Sequence, residues 1–385
     1  MIAMGQGLKN RGYAREDVQE RRQAAEEFSS TKLEVTSSYT IDPESARSNI
    51  ENMIGCIQVP VGYVGPVKVC GEHAEGEFLI PMATTEGALL ASVNRGCSLI
   101  NKSGGANVRV IGDNMTRSPV FRVDDIRHGL DVIDWVGDNI DAIREAAEST
   151  TRRGKLLGIE AFPNGRNLYL RFSYSTADAM GMNMCTIATE AAARKIEEAT
   201  GAVLVSVSGN MCTDKKPAMI NMLSGRGKTV LADCLVPSAE VKSRMGAEVD
   251  SVVETNYRKN LVGSSMAGSL GQNAHVANML AAMFIATGQD PAQVVEGSMT
   301  STLCENVDGD LYISVRIPAL EVGSVGGGTK LATQSEMLDM MGCRGEGKAL
   351  KLAEVMAVAV LAGELSTLGA QAAGHLGKAH AELGR

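Results

Sequence analysis

The clearest hydrophobic pattern lies in the middle of the chain. Pro119 to Val123 reads as a short strand. Apolar positions Ile126, Leu130, Ile133, Val136, Ile140 and Ile143 then recur at helical spacing, which predicts a helix from Asp124 to about Ser149. LLGIEAF (156–162) and RNLYLRFSY (166–174) predict two strands joined around Pro163-Asn164-Gly165, a hairpin signal. A helix is expected from about Asn183 to Ala199, and AVLVSVS (202–208) reads as a buried strand. The order β-α-β-β-α-β is the ferredoxin-like plan, here over residues 119–207.

The flanks differ in texture. Residues 1–41 are charge-dense and predict a small helical N-terminal segment, with EDVQERRQAAEEF (16–28) as its helix. β-like runs follow in IGCIQVPVGYVGPVKV (54–69) and GEFLIPM (76–82), then a helix of small residues from Thr85 to Leu99 and a Gly-rich turn, SGGAN (103–107). After Ser208 come a Gly-Asn-Lys-Lys-Pro loop and a helix-rich section to about Gln289. DLYISVRIPALEVGSV (310–325) is β-like and ends in Gly326-Gly327-Gly328, and a long helix of small residues is expected over about 348–383. Gly-rich α/β texture on both sides of 119–207 makes that module an insertion. The expected class is α+β, with a large α/β domain over 42–118 and 208–385.

Composition excludes several classes. A net charge of −8 argues against a nucleic-acid surface. The longest uncharged run, Asn260 to Gln289, contains Asn260, Gln272, Asn273, His275 and Asn278, and its apolar core is too short to cross a bilayer. The start lacks the apolar region of a signal peptide, and the eight cysteines form no CxxC pair. A cytoplasmic protein with reduced thiols and no membrane contact is expected. HExxH, GxSxG and a strand-following GxGxxG are all missing, and the scattered His and Cys suggest no metal site. Gly225-Arg-Gly-Lys-Thr229 imitates the end of a P-loop, but Met222 occupies the leading glycine position.

Several short segments remain. DAMGMN (178–183) lies at a strand-to-helix junction, where free N–H groups suit an anion, although Asp178 as an N-cap would explain it equally well. VGSVGGGTK (322–330) could accept a flat ring or a phosphate against its backbone, or be only a turn. Lys215 and Lys216 are adjacent in a Gly/Pro-bounded loop, a pattern that is ordinarily a solvated pair. Glu86 would by default serve a helix dipole, and Asp290, before Pro291, would be an N-cap.

Taken together, ENMIG (51–55), PMATTEG (81–87), SGNMCTDKKPA (208–218), NLVGSSMAG (260–268), DAMGMN, VGSVGGGT and AAGHLGKAH (372–380) resemble the hydroxymethylglutaryl-CoA (HMG-CoA) reductases, on the eukaryotic and archaeal (class I) side, from about residue 45 onward. The resemblance implies an NADPH-dependent, four-electron reduction of HMG-CoA to mevalonate in isoprenoid biosynthesis. It implies catalytic roles for Glu86, Lys215, Asp290 and His380, the last rather than His375. Arg117, Ser208, Asp214, Lys216, Lys259, His275 and Asn278 match substrate positions. Thr151, Arg152, Arg153, Asp178, Met180, Gly181, Met182, Asn183, Val325, Gly326 and Gly327 match cofactor positions, and the arginines favour NADPH over NADH.

The sequence departs from the family pattern where basic residues associated with CoA phosphates are replaced by Ser98 and Gly246, which leaves Ser92, Asn94 and Arg95, with Arg244 beside them, for that contact. The resemblance also implies a homodimer, or a tetramer of dimers, with active sites at the dimer interface, and no membrane anchor. A degradative NAD-dependent reductase and a silent acyl-CoA-binding oligomer are the alternative readings.

Overall fold

The computed structural model describes residues 12–374. Helix α1 (Arg15–Ser29) forms as the sequence predicts, and Val18 packs with Ala46 and Met53 in a small core of its own. Strand β1 (Val61–Cys70) starts later than the β-like run suggests and pairs antiparallel with β2 (Glu75–Ala83). Helix α2 (Leu89–Lys102) also starts later than expected, because Ala88 takes a left-handed φ of 70°. A long strand, β3 (Ala106–Arg117), follows, although Ala106 and Asn107 read as part of a turn.

After β4 (Val120–Arg122) the expected single helix is two, α3 (Ile126–Asp138) and α4 (Ile140–Glu148). Asn139 separates them, with its amide and side chain both donating to the Trp135 carbonyl. The hairpin β5 (Lys155–Asn164) and β6 (Asn167–Ser175) forms as predicted, with Gly165 at φ 59° in the turn. Helix α5 (Met182–Thr200) leads to β7 (Val203–Ser206). This last strand is not buried: it is an edge, and Val205 is 62% exposed.

The section after Ser208 is not simply helical. It contains β8 (Gly227–Val236), which begins inside the discarded P-loop imitation. Residues 230, 232, 234 and 236 of this strand face the core, but Leu231 and Leu235 on its outer face are also apolar, which hides the alternation. Asn256–Gly263 winds as a π-helix, and α6 (Val276–Thr287) is buried. Strand β9 (Ser301–Val307) had no signal of its own in the sequence reading, whereas β10 (Asp310–Leu320) did. The chain's long closing helix is α7 (Ala349–Ala372). The rest of the predicted helix, with His375 and His380, lies outside the described residues.

The strands form a mixed α/β fold around a large, mostly antiparallel sheet. One part runs β2-β1-β3-β8-β10-β9, with only β1 and β3 parallel. The other runs β7-β4-β6-β5, antiparallel throughout. Strand β3 joins them, pairing first with β8 and then, through Met115–Arg117, with β6. Each part has its own apolar core.

Helix α7 fills the centre of the larger core. By length and composition it is apolar enough to cross a membrane, but 94% of its apolar window is buried inside the fold. Its acids Glu354 and Glu364 are fully buried and accept backbone N–H groups: Glu354 from Glu72, His73 and Ala74, Glu364 from Ala274 and His275 at the start of α6. Helix α2 crosses α7 so closely that a Cβ on Gly96 would lie 1.9 Å from the Ala362 carbonyl oxygen. Gly96→Ala should therefore force the two helices apart and destabilise the protein by about 1–3 kcal/mol, read from denaturant unfolding, with no gain from the better helix former.

Candidate active site

The expected site residues fall into three clusters. The first lines a cleft of about 260 Å³ between α2, the start of α6 and the end of α7, with Glu86, Ser92, Arg95, His275 and Asn278 on its walls. Glu86 is exposed, in the loop before α2, and accepts a hydrogen bond from Asn278 Nδ2 at 3.3 Å. His275 Nε2 meets Thr367 Oγ1 at 2.6 Å and the Gly363 carbonyl at 3.2 Å. Glu364, which holds the His275 backbone, has no signal in the sequence beyond being an acid in an apolar helix.

Lys259, in the π-helix, is half-buried, and burial depresses its ammonium pKa although Glu364 opposes the shift. Ser92 and Arg95 both bind the Ser366 hydroxyl, and Arg244 Nη1 reaches Ser98 Oγ at 3.1 Å, so one of the two departures from the family pattern, Ser98, lies beside a guanidinium. Asn94 turns away and accepts the Gly65 N–H.

The second cluster surrounds the lysine loop. Lys215 Nζ pairs with Asp290 Oδ2 at 2.9 Å, and Asp290 also caps its own turn by accepting the Ala292 N–H. The hydrogen bond that Lys215 donates to Asp290 raises the Lys215 pKa; partial burial acts the other way and is outweighed. Lys216 is exposed and folds back on the Asp214 carbonyl. Asp214 accepts from Gln293 and Arg226 and lies 3.9 Å from Arg117, and these partners hold its carboxyl below the usual range despite burial. Arg117 also donates to Thr186 Oγ1, and its Nη1 lies 3.8 Å from Cys212 Sγ, which contacts Ser208 Oγ.

Behind this loop sit three residues the sequence reading passed over. Arg226 Nη1 binds Glu296 at 2.6 Å and Glu321 at 2.7 Å, and all three side chains are fully buried. Burial raises the pKa of both acids, and Glu321 lies well above its ordinary value. Arg226 lies within the Gly-Arg-Gly-Lys-Thr segment, which drew notice for the wrong motif.

The third cluster joins DAMGMN to VGSVGG. Ser324 and Val325 donate backbone N–H groups to the Asp178 carbonyl. Asp178 is not the N-cap of α5. Gly181 takes that position with φ 87°, and a Cβ there would collide with Thr176. The Asp178 carboxylate instead accepts from Gly347, Lys348 and Ala349, capping α7. Met180 is half-buried and Asn183 exposed, while Met182 is buried with its sulfur against Arg226.

Gly326 and Gly327 have positive φ and open space where a Cβ would lie, so a flat ring can rest on this backbone. Nearby, Thr151 Oγ1 accepts the Gly154 N–H, Arg152 is exposed, and Arg153 pairs with Glu346, next to the Asp178-bound Gly347. Among the described residues no group of His, Cys, Asp and Glu suits a metal ion.

In overall architecture the chain is an α/β protein of the reductase fold. A class II HMG-CoA reductase from Streptococcus pneumoniae, solved bound to NADPH, superposes with a TM-score of 0.71 at 17% identity, covering 95% of this chain and 98% of that one. At that identity the likeness speaks for the fold alone. The family model for hydroxymethylglutaryl-coenzyme A reductase matches residues 17–385, and the chain belongs to that family.

The 3-hydroxy-3-methylglutaryl-coenzyme A reductase of Methanothermobacter thermautotrophicus is 53% identical over 372 residues, covering 96% of this chain and 94% of that protein. Its counterpart from Haloferax volcanii is 56% identical over 370 residues, covering 95% and 92%. The Fusarium fujikuroi reductase is 46% identical over 347 residues, which cover 87% of this chain and 35% of the fungal protein.

The Lys215–Asp290 pair gives a direct test of this geometry. Asp290→Asn should let Lys215 deprotonate at lower pH, because the raising contact is lost. Amine acylation at about pH 9, followed at the Lys215 peptide by mass spectrometry, should then run faster than in the parent protein. An unchanged rate would show that the pair does not form in solution.

Proposed function

We propose that this protein reduces (S)-HMG-CoA to (R)-mevalonate and CoA, consuming two NADPH and two protons, and so supplies mevalonate for isoprenoid synthesis. The observation that carries the reading is an ammonium, Lys215, held by Asp290 in a loop beside Asp214 and Arg117, in a chain of this family.

When bound, NADPH supplies the hydrides. Its binding unit is taken to be the βαββαβ insertion at 119–207, whose antiparallel order β7-β4-β6-β5 fits the ferredoxin-like plan. The open glycines 326–327 and the Asp178–Val325 backbone contact fit a nicotinamide ring, and Met180, Gly181, Met182 and Asn183 flank that contact. Because the Asp178 carboxylate is committed to α7, Asp178 serves this site through its backbone. Thr151, Arg152 and Arg153 are assigned to the 2′-phosphate, with Arg153 exchanging Glu346 for it.

Each hydride addition places negative charge on a carbonyl oxygen, and Lys215 stabilises that charge. Glu86 supplies the carbonyl proton, and His380 protonates the departing CoA thiolate. Arg117, Ser208, Asp214 and Lys216 hold the hydroxymethylglutaryl end, with Lys259, His275 and Asn278 around the reacting carbon. Ser92, Arg95 and Arg244 face the CoA moiety; Asn94 is left out because its side chain is spent on the Gly65 turn.

Within one chain Glu86 and Lys215 sit in separate clusters, and no hydrogen bond or ion pair joins them among the described residues. A second copy would bring the lysine loop of one subunit to the Glu86 cleft of the other, so the working unit is read as a homodimer or a dimer of dimers. The apolar outer face of the sheet, with Leu231, Leu235 and Leu303 at 40%, 46% and 44% exposure, supports self-association. The compartment is read as cytoplasmic.

The test follows NADPH absorbance together with free thiol and mevalonate. Two NADPH should disappear per CoA and per mevalonate released, and folded, oligomeric protein with no turnover on either nicotinamide would overturn the reading. Lys215→Ala should abolish turnover. His380→Gln should lose thioester reduction yet still reduce free mevaldehyde, and an equal loss of both activities would remove the histidine from its assigned step.

A further inference from the structure

We infer that Glu296 is the positioning residue for Lys215, holding the lysine loop through an ionised carboxylate while its neighbour Glu321 keeps a proton. The inference rests on the reading that Lys215 is catalytic.

The loop is held against its own preference. Asn210, Thr213 and Lys215 have φ of 63°, 54° and 60°, a left-handed region that residues other than glycine seldom occupy. Such backbone persists only where surrounding contacts over-determine it. At Lys215 that contact is Glu296 Oε1, which accepts the Lys215 N–H at 2.5 Å. The same oxygen accepts Arg226 Nη1, and Oε2 accepts Asn221 Nδ2 at 2.7 Å. Asn221 in turn donates to Thr213 Oγ1 and receives Arg171 Nη2 from β6, so the network runs from the proposed cofactor unit to the lysine. Three donors, one of them a guanidinium, converge on the two Glu296 oxygens, an arrangement that favours the carboxylate because it offers acceptors alone.

Charge balance places the proton. Asp214, Glu296 and Glu321 share one guanidinium, Arg226. Arg117 lies beside Asp214 as well, so with every acid ionised the cluster would carry one uncompensated negative charge next to fully buried groups, which is costly without further pairing. Asp214 is stabilised as an anion by Gln293, Arg226 and Arg117. Glu321 accepts from a single donor, Arg226, its second oxygen is buried with no donor, and it adjoins the Glu296 carboxyl. Burial and the adjacent Glu296 hold its carboxyl well above the ordinary range, outweighing Arg226. Glu321 is thus the acid that stays neutral, which prevents a second charge from competing with Glu296 for Arg226.

The two acids therefore differ in what an amide does to them. Glu296→Gln preserves shape but turns an NH2 against a donor, freeing the loop. Glu321→Gln replaces one neutral group with another. In the full-length protein, Glu296→Gln should lower kcat on the order of a hundredfold, with KM for HMG-CoA and NADPH within about threefold, because misplacing a reacting group acts on the chemical step. Glu321→Gln should cost at most about threefold in kcat.

Thermal unfolding and oligomeric state are measured alongside. If Glu296→Gln does not fold, Asn221→Ser, which removes the donor that steadies Glu296 Oε2 and Thr213 Oγ1 without altering charge, should show a kcat-specific loss of about tenfold. Wild-type kcat in the folded Glu296→Gln protein or in Asn221→Ser, a loss confined to KM, or equal losses in the two Glu→Gln variants would overturn the inference. Lys215→Ala is run in parallel. If it is inactive while Glu296→Gln is unimpaired, only the positioning role fails. If Lys215→Ala turns over normally, the underlying reading of Lys215 fails instead.

Discussion

A fully buried guanidinium is the constraint on which the site depends. Arg226 stands just before β8, yet its partners come from the lysine loop (Asp214), from the short helix Val294–Gly297 after α6 (Glu296) and from the residue after β10 (Glu321). Segments distant in sequence must converge there, because a charge without water has to be met by opposite charge and by hydrogen bonds. The sulfur of Met182 touches the same group, so the start of α5 is drawn in as well. Removing a charged partner, Asp214 or Glu296, would leave the guanidinium buried and unbalanced, a larger penalty than the loss of one contact.

Helix α7 supplies the second organising element. It is apolar on every side, which suits a helix surrounded by protein, and small residues let α2 approach its backbone. Its polar groups are used at fixed points. Asp178 caps its beginning, Glu354 binds the β1–β2 turn, and Glu364 caps α6 beside His275, while Thr367 meets the histidine ring. One helix thus links the DAMGMN loop, at its first turn, to the Glu86 cleft near its end.

What could be read along the chain was what depends on neighbours in sequence. The β5–β6 hairpin, α1 and α5 carried their own turn residues and periodicity. Strand β8 did not, because Leu231 and Leu235 make its outward face as apolar as its inward one. The edge strand β7 looked buried for a related reason: valine at alternate positions signals a strand but not which neighbour covers it. Asp178 shows the limit most clearly. Its position before α5 suggested a cap for that helix, but its carboxylate reaches a helix that begins more than 160 residues later.

For the chemistry, the sequence alone determined which side chains are available and, through several long motifs, the family to which they belong. Glu86, Lys215 and Asp290 could be named because each lies in a distinctive local segment. The tertiary structure decided which groups meet: Lys215 with Asp290, Glu86 with Asn278, and Arg226 with its acids. Glu296 and Glu321 have no motif, since a buried acid looks like any surface acid until the fold shows what surrounds it. Charge and hydrogen bonding act over a few ångströms in space, and only the folded chain brings groups that far apart in sequence within that range.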